Sequence, residues 1–436
     1  MLIVFCGMLP AAAQAPYTLQ RCVEIALKNS LQLKADGYDL EKTKASIGQA
    51  YSGLLPSINA SGSYQYQFKV PMQLVPGDLF GGTPGTYQAV QFSVPQTKSA
   101  TVELNQTLFN ASTFIALKAA KVAVNLNQLQ IQSSKEDLIY NVSATYYNIQ
   151  TIIKQQGLIQ SNLDQTEALL QVTTDQYNAG LATQTDVERL TVSRDNTKAS
   201  LQNTVNSLEK QYNLLKLLMN LPLVDNILVV NEEYDEANIA ILDVTDFDAF
   251  RKTNYQQIQE NKIVADLQRR NIKAGYLPTL SLTGSYGYSG YYSNADPLKN
   301  LNDKWYPSSS ISLRLSIPIF DGFNRKYQIQ QKAIEIRKYD VQAEQTQQQN
   351  SRELADAYAD LKSNFITVQS QKRNLALAQK VLDDVNIQYK SGLVKITDVI
   401  NSQTELQSAQ NNYINALINV KQAELNLKKA QGTLMQ

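Results

Sequence analysis

From Ser57 to Phe68 the residues alternate, with Ile58, Ala60, Gly62, Tyr64, Tyr66 and Phe68 on one side and Ser57, Asn59, Ser61, Ser63, Gln65 and Gln67 on the other. A period of two predicts a strand. The pattern returns three times: Val102, Leu104 and Leu108 against Thr101, Glu103, Asn105 and Thr107; Leu280, Leu282, Tyr286 and Tyr288 against Thr279, Ser281, Thr283 and Ser285; and Ile311, Leu313, Leu315, Ile317 and Ile319 against Ser310, Ser312, Arg314 and Ser316. Four strands in two β-hairpins follow, over 57–109 and 279–320. Elsewhere the apolar spacing lengthens to seven: Val142, Ile149, Gln156, Leu163, Leu170 and Tyr177 form one series, and Leu354, Leu361, Val368, Leu375, Leu382 and Tyr389 form another. Val187, Arg194, Leu201, Leu208 and Leu215 form a third, matched by Val399, Leu406, Tyr413, Val420 and Leu427. Sustained heptads predict long helices packed as coiled coils. Nothing between Asn110 and Tyr177 is proline, so a single helix there extends ~100 Å at about 1.5 Å per residue.

The series are in register because the chain repeats itself. YNAGLATQTDV starts at Tyr177 and YKSGLVKITDV starts at Tyr389, 212 positions on; Pro56 and Pro278, each opening a strand, lie 222 apart. Two tandem units result. The first occupies 16–220, with a helix, the hairpin 57–109, a long helix 110–177, a tip 178–186 and a returning helix 187–219. The second occupies 245–436, with a helix, the hairpin 279–320, a long helix 322–389, a tip 390–398 and a returning helix 399–432. The acidic, proline-bearing stretch 221–244 reads as an equatorial linker.

Strands of this length, tilted by ~40°, cover a bilayer's hydrocarbon core, and their tyrosines lie toward the ends as interfacial aromatics do. The joining loops, about 69–97 and 291–307, are rich in Pro, Gly, Asn and Asp, and Trp305 reads there as a girdle or loop-packing residue. Four strands cannot close a barrel, and open sheet edges are not tolerated in lipid. Two, three or four copies must therefore share one.

In the repeated turns, Gly180 and Gly392 sit where a long helix ends, the place for a left-handed cap. Thr185–Asp186 and Thr397–Asp398 are expected to supply N-cap oxygens and negative charge to the returning helices. A plain helical hairpin accounts for every residue of the motif. Its place at the end of the longest helices makes it the narrow, membrane-distal mouth of a tube.

Composition narrows the function. With 40 basic and 39 acidic residues and no basic run, nucleic acid is not an expected partner. The absence of histidine removes the commonest general base and metal ligand, and two cysteines, Cys6 and Cys22, are too few for a metal cluster. No nucleophile–base grouping or phosphate-binding loop is present, so neither an enzyme nor a cofactor is expected. Residues 1–15 read as a secretory signal peptide cut near Ala13 or Ala15, with lipidation at Cys6 the minor alternative. Cys22 reads as a small buried apolar residue. No window approaches 18 consecutive apolar residues, so no transmembrane helix is encoded.

The signal sequence, the doubled helix–hairpin–helix–helix unit, the GLLP and GYLP strand junctions and the doubled Y-x-x-G-L-x-x-x-T-D-V tips together resemble the outer-membrane efflux protein family across the mature chain. The resemblance implies a mainly α protein with a transmembrane β-barrel portion. Three protomers would share a twelve-stranded barrel and build an α-barrel of twelve coiled-coil helices across the periplasm of a Gram-negative bacterium. It further implies outer-membrane lipid around the barrel and docking to a periplasmic adaptor and an inner-membrane transporter of RND, ABC or MFS type, for efflux or type I secretion. The family closes its entrance with tyrosine, arginine and aspartate, and Tyr389, Asp398 and, from the first unit, Asp186 match that pattern. The arginine's place falls at Val394 beside Lys395, and a second aspartate's place falls at Asn401, so the clasp here is differently built. Gly180, Leu181, Thr185, Gly392, Leu393, Lys395 and Thr397 are the expected adaptor-docking tips. A ring of Asp398 carboxylates would favour cations. The rival readings, an adaptor or a structural coiled-coil protein, leave the second hairpin or the four strands unexplained.

Overall fold

The computed structural model describes residues 16–230, 247–293 and 304–435. The signal segment 1–15 with Cys6, most of the linker and the middle of the second loop lie outside these residues. The described elements are α1 (Leu19–Asn29), α2 (Leu31–Ser52), β1 (Ser57–Tyr66), β2 (Gln73–Pro76), β3 (Tyr87–Val90), β4 (Gln96–Phe109), α3 (Ala111–Asn178), α4 (Gln184–Leu218), α5 (Thr253–Ala274), β5 (Thr279–Tyr292), β6 (Tyr306–Ser316), α6 (Asn324–Lys390) and α7 (Ile396–Gln431). They fall into two units, one of residues 40–126 and 260–340 and the other of the remaining chain.

The first unit holds a four-stranded sheet in the order β1-β4-β5-β6, antiparallel throughout. Register decides its two faces. Ile58 lies opposite Leu104, Leu104 opposite Gly284 and Gly284 opposite Ile311, while the next row joins Ala60, Val102, Tyr286 and Ser309. This face is apolar and uncovered in the single chain, with Ile311 84% and Ile58 68% exposed. The other face ties its polar groups to one another: Ser63 Oγ lies 2.7 Å from Ser99 Oγ, Ser285 Oγ lies 2.8 Å from Ser310 Oγ, and Thr283 donates to Asn105 Oδ1 at 3.0 Å. Near the end of β4 a bulge between Thr107 and Phe109 shifts the register, so Phe109 faces Leu280. The loop between β1 and β4, read from sequence only as a long connection, contains the β2–β3 hairpin, with Gly81 and Gly85 at positive φ between its strands.

The second unit is built on helix seams. Heptad residues Leu354, Leu361, Val368 and Leu382 of α6 and Val399, Leu406, Val420 and Leu427 of α7 are all buried, as are Val142, Ile149 and Leu163 of α3. The seam of α4 differs from expectation. It runs through Leu190, Thr197, Thr204 and Leu215, whereas Val187, Arg194 and Leu201 are only partly covered. Threonine is hidden in a polarity pattern because its hydroxyl is counted as wet. Here Thr197 donates to Ser193 O at 2.9 Å and Thr204 to Ser200 O at 3.0 Å, which satisfies each hydroxyl within its own helix and leaves a methyl for the seam. Thr145 and Thr166 of α3 do the same toward Asn141 and Asn162.

At the start of the chain Tyr17 bridges Val229 in parallel, with Tyr17 N–H donating to Leu228 O at 2.7 Å. Ile227 and Val229 thereby join Cys22, Ala26, Val142, Tyr146, Ile149 and Leu215 in one apolar cluster. The described part of the linker is thus packed onto α1, α3 and α4. Elsewhere Asn254 and Asn350, the latter fully buried, exchange reciprocal amide hydrogen bonds at 2.9 and 3.1 Å.

Cys22 has no exposed surface, and burial pushes its thiol from 9.0 up to about 11, against a smaller pull downward from Arg21. A raised folded pKa means that the stabilising contribution of the protonated thiol is complete below pH 9.0 and is lost as pH climbs toward about 11. At pH 8 a thiol reagent should modify Cys22 only after denaturation, as peptide mapping by mass spectrometry would report; rapid labelling of folded protein would contradict this packing.

Candidate functional site

The two helical turns share one hydrogen-bond pattern. At the end of α3, Gly180 takes φ +76° and donates to Tyr177 O at 3.0 Å, while Leu181 reaches back to Gln176 O at 2.7 Å. At the end of α6, Gly392 takes φ +72° and donates to Tyr389 O at 2.9 Å, and Leu393 donates to Gln388 O at 2.9 Å. These are Schellman caps, and the left-handed position requires glycine. Each cap throws its following leucine outward. Leu181 is 81% exposed and Leu393 76%, so each apex carries a bare apolar side chain flanked by backbone.

The returning helices start one residue pair earlier than the motif suggests. The N-cap of α4 is Thr183 and that of α7 is Lys395, so Thr185 and Thr397 lie inside the first turn and the aspartates occupy its third position. Asp186 Oδ2 accepts from Thr183 N–H at 3.1 Å and from the Thr183 hydroxyl at 2.6 Å, and Asp186 N–H donates to Thr183 Oγ1 at 3.3 Å, completing a capping box. Asp398 Oδ2 accepts from Lys395 N–H at 3.0 Å, but lysine has no acceptor to return, so the second box is half made. The aspartates therefore do the capping that sequence reading gave to the pairs Thr185–Asp186 and Thr397–Asp398 jointly.

Tyr389 packs beside Ile396 and Val399 at the start of α7 while its hydroxyl reaches α3. Its hydroxyl donates to Gln176 Oε1 at 3.2 Å and lies 3.3 Å from Thr173 Oγ1, which fastens the end of α6 to the end of α3. Below, Leu190, Leu382, Ile396, Val399 and Leu406 form the buried cluster that holds α4, α6 and α7 together. Between α4 and α7 an open groove of about 570 Å³ is lined by Thr185, Glu188, Arg189, Thr397 and Asn401, among others. The structure thus brings Thr185, Thr397 and Asn401 to one groove, puts Leu181 and Leu393 at the apices, and packs Tyr389 against the buried cluster with its hydroxyl tied to α3. Sequence reasoning missed Thr173 and Gln176, which only the pairing of α3 with α6 reveals, and Glu188 and Arg189. The last two are legible as charged residues one turn beyond Thr185, on its own face. Among the described residues no cluster of His, Cys, Asp or Glu could hold a metal ion, and no helix is long and apolar enough to cross a membrane.

Helices of 68 and 67 residues that end in capped turns, with a sheet bearing one bare apolar and one serine-lined face, define an outer-membrane channel protein. The family described as outer membrane efflux protein matches residues 22–221 and 257–433, and the chain belongs to it. Its localisation is the outer membrane, and the family is one of transport channels. Outer membrane protein TolC of Escherichia coli is 24% identical over 442 residues, covering 97% of this chain and 83% of the relative. Outer membrane efflux protein BepC of Brucella suis is 23% identical over 365 residues, covering 80% of this chain and 76% of the relative. Among solved structures, CusC superposes with a TM-score of 0.76 at 17% identity, covering 95% of this chain and 91% of the other, a likeness of fold.

The half-made box gives a direct test. Lys395→Thr supplies the missing acceptor and is expected to stabilise the first turn of α7 by about 1 kcal/mol, slowing hydrogen exchange at Thr397 and Asp398, whereas Thr183→Ala should speed it at Thr185 and Asp186. Unchanged exchange in both variants would show that the boxes do not hold these turns.

Proposed function

We propose that three copies of this chain form a passive conduit across the outer membrane and periplasm. Each copy, built of two tandem units, donates β1, β4, β5 and β6 to a shared twelve-stranded barrel and its long helices to a twelve-helix α-barrel. Substrates enter from a periplasmic adaptor and an inner-membrane transporter of RND, ABC or MFS type, which supplies the energy, for efflux or type I secretion. The observation that carries this reading is the sheet order β1-β4-β5-β6, which leaves β1 and β6 as free edges running in opposite directions. An outer edge of β6 therefore offers an antiparallel partner to β1 of the next copy, and repetition of that step closes a ring without an unpaired edge. The apolar face then meets lipid and the serine-lined face meets water.

At the two helical turns, Leu181 and Leu393, with Gly180, Gly392, Thr185, Lys395 and Thr397 around them, form the surface that receives adaptor hairpins. Exposed apolar side chains on rigid caps suit packing into a groove between partner helices. Asp398, Asn401 and Asp186 lie at or beside the returning helices' first turns, where three copies around an axis would set a polar constriction, and Tyr389 holds the hairpins together. The departures at Val394 and Asn401 leave this constriction with less charge than the family pattern.

Sedimentation of detergent-solubilised protein should give a complex of three chains; a stable monomer would overturn the shared barrel. Leu181→Glu with Leu393→Glu should abolish co-purification with the cognate adaptor while the assembly remains intact, and undiminished capture would remove the tips from the docking surface. Asp398→Asn keeps an acceptor for Lys395 N–H but removes the charge. In planar bilayers it should lower cation-over-anion selectivity several-fold, and identical selectivity would reject the carboxylate ring.

A further inference from the structure

On the apolar face of the sheet, at the end joined by the loops, stands a lysine. Lys98 is the third residue of β4 and pairs with Tyr64 of β1 and Gly290 of β5, in the same alternating row as Val102 and Leu104. It is 6% exposed, and its Nζ is buried with no hydrogen-bond partner. The ammonium lies 5.0 Å from the centre of the Tyr292 ring and 6.0 Å from that of Tyr64. Gly290 makes this possible: a Cβ there would meet the Tyr292 hydroxyl at 2.7 Å, so only glycine lets that ring fold back over the cation. Two aromatic faces attract an ammonium, but they do not replace the hydrogen bonds it made in water. A charge left in that state on a membrane-facing surface calls for an anion.

The rows below Lys98 lead to a place for a chain. Next come Gly62, Ala100 and Tyr288, then Ala60, Val102 and Tyr286, then Ile58, Leu104, Gly284 and Ile311. Small residues keep a lane open between the tyrosines, and it ends in a shallow groove of about 590 Å³ lined mainly by Ile58, Val102, Leu104, Gly284, Tyr286 and Ile311, together with Ser285, Ser309 and Ser310. Beside the lane the Tyr286 and Tyr288 hydroxyls lie 2.9 Å apart, a polar pair within an apolar face. Lys98 and Leu104 are six residues apart in β4. Six residues span ~20 Å at about 3.3 Å each, and a tilt near 40° reduces that to ~15 Å of depth. That is half of a hydrocarbon core of roughly 30 Å. The lane is one leaflet deep, and since the helices leave from the opposite end of the sheet, that leaflet is the outer one.

We propose that Lys98, with Tyr64, Tyr292 and the Tyr286–Tyr288 hydroxyls, is a binding site for the phosphoryl headgroup of an outer-leaflet lipid whose acyl chain lies along the glycine- and alanine-floored lane. Tyr64, 48% exposed, is the ring that turns aside to admit the phosphate. The site rests on the membrane-spanning reading of the sheet.

The test uses the full assembly in detergent, with added lipid A, phosphatidylglycerol, phosphatidylcholine or inorganic phosphate, read by native mass spectrometry and thermal unfolding. Wild type should retain the two anionic lipids about fivefold more than phosphatidylcholine, the increment expected of one lysine at a membrane surface. Lys98→Met should lose that preference and Lys98→Arg should keep it. Without lipid, Lys98→Met should unfold at the same or a higher temperature, because it removes an unpaired buried charge, so misfolding does not explain the loss. Equal lipid retention by wild type and Lys98→Met would overturn the site, and equal stabilisation by inorganic phosphate would show a free-anion site with no lipid chain. Ile311→Cys, expected to be shielded from a water-soluble maleimide and modified by a lipid-soluble one, separates the two failures. If it is reactive in water, the membrane reading falls; if it is shielded while Lys98→Met binds as wild type, only the lipid site falls.

Discussion

Backbone amides and carbonyls along the outer edges of β1 and β6 set the terms for everything else in this chain. A sheet of four strands in the order β1-β4-β5-β6 can satisfy its interior hydrogen bonds but not its edges, and lipid offers no water to satisfy them. The strand number is even and every pair is antiparallel, so the two edges run oppositely, as the proposed joining of copies requires. The bare apolar face and the polar face linked through Ser63–Ser99 and Ser285–Ser310 follow from that geometry, since a sheet with lipid on one side and water on the other must sort its side chains by face.

The helices meet a different demand. A long helix that contacts neighbours on two sides and water on the others has a narrow buried stripe and a polar mean character. Leucine and valine heptads supply most of the stripe in α6 and α7, while threonines that bond to their own helix supply much of it in α3 and α4. Each such threonine contributes less apolar burial than leucine. Fixed points are then concentrated elsewhere, at the Tyr389–Gln176 bond, the Asn254–Asn350 pair and the Leu190–Val399–Leu406 cluster.

At the turns the same residues serve structure and exposure together. The glycine caps end α3 and α6 abruptly, and abrupt endings are what leave Leu181 and Leu393 uncovered. A looser turn would let those leucines fold back onto their helices. The capping aspartates are held in the same way, each with one oxygen committed to a backbone amide and the rest of the carboxylate available to whatever approaches.

Periodicity alone determined the strands, the long helices and the repeated turns, because two- and seven-residue spacings are local consequences of how side chains project from each kind of backbone. Gly180 and Gly392 were legible for the same reason. The threonine seam of α4, the N-caps at Thr183 and Lys395, and the β2–β3 hairpin were not, since each depends on a hydroxyl, a backbone turn or a loop closure that polarity patterns do not record. The junction of Tyr389 with Thr173 and Gln176, the packing of Ile227 and Val229 against α1, and the pocketing of Lys98 beneath Tyr292 were decided only in three dimensions. In each case the partners are distant in the chain, and no local rule links a residue to a neighbour that only the folded backbone brings near.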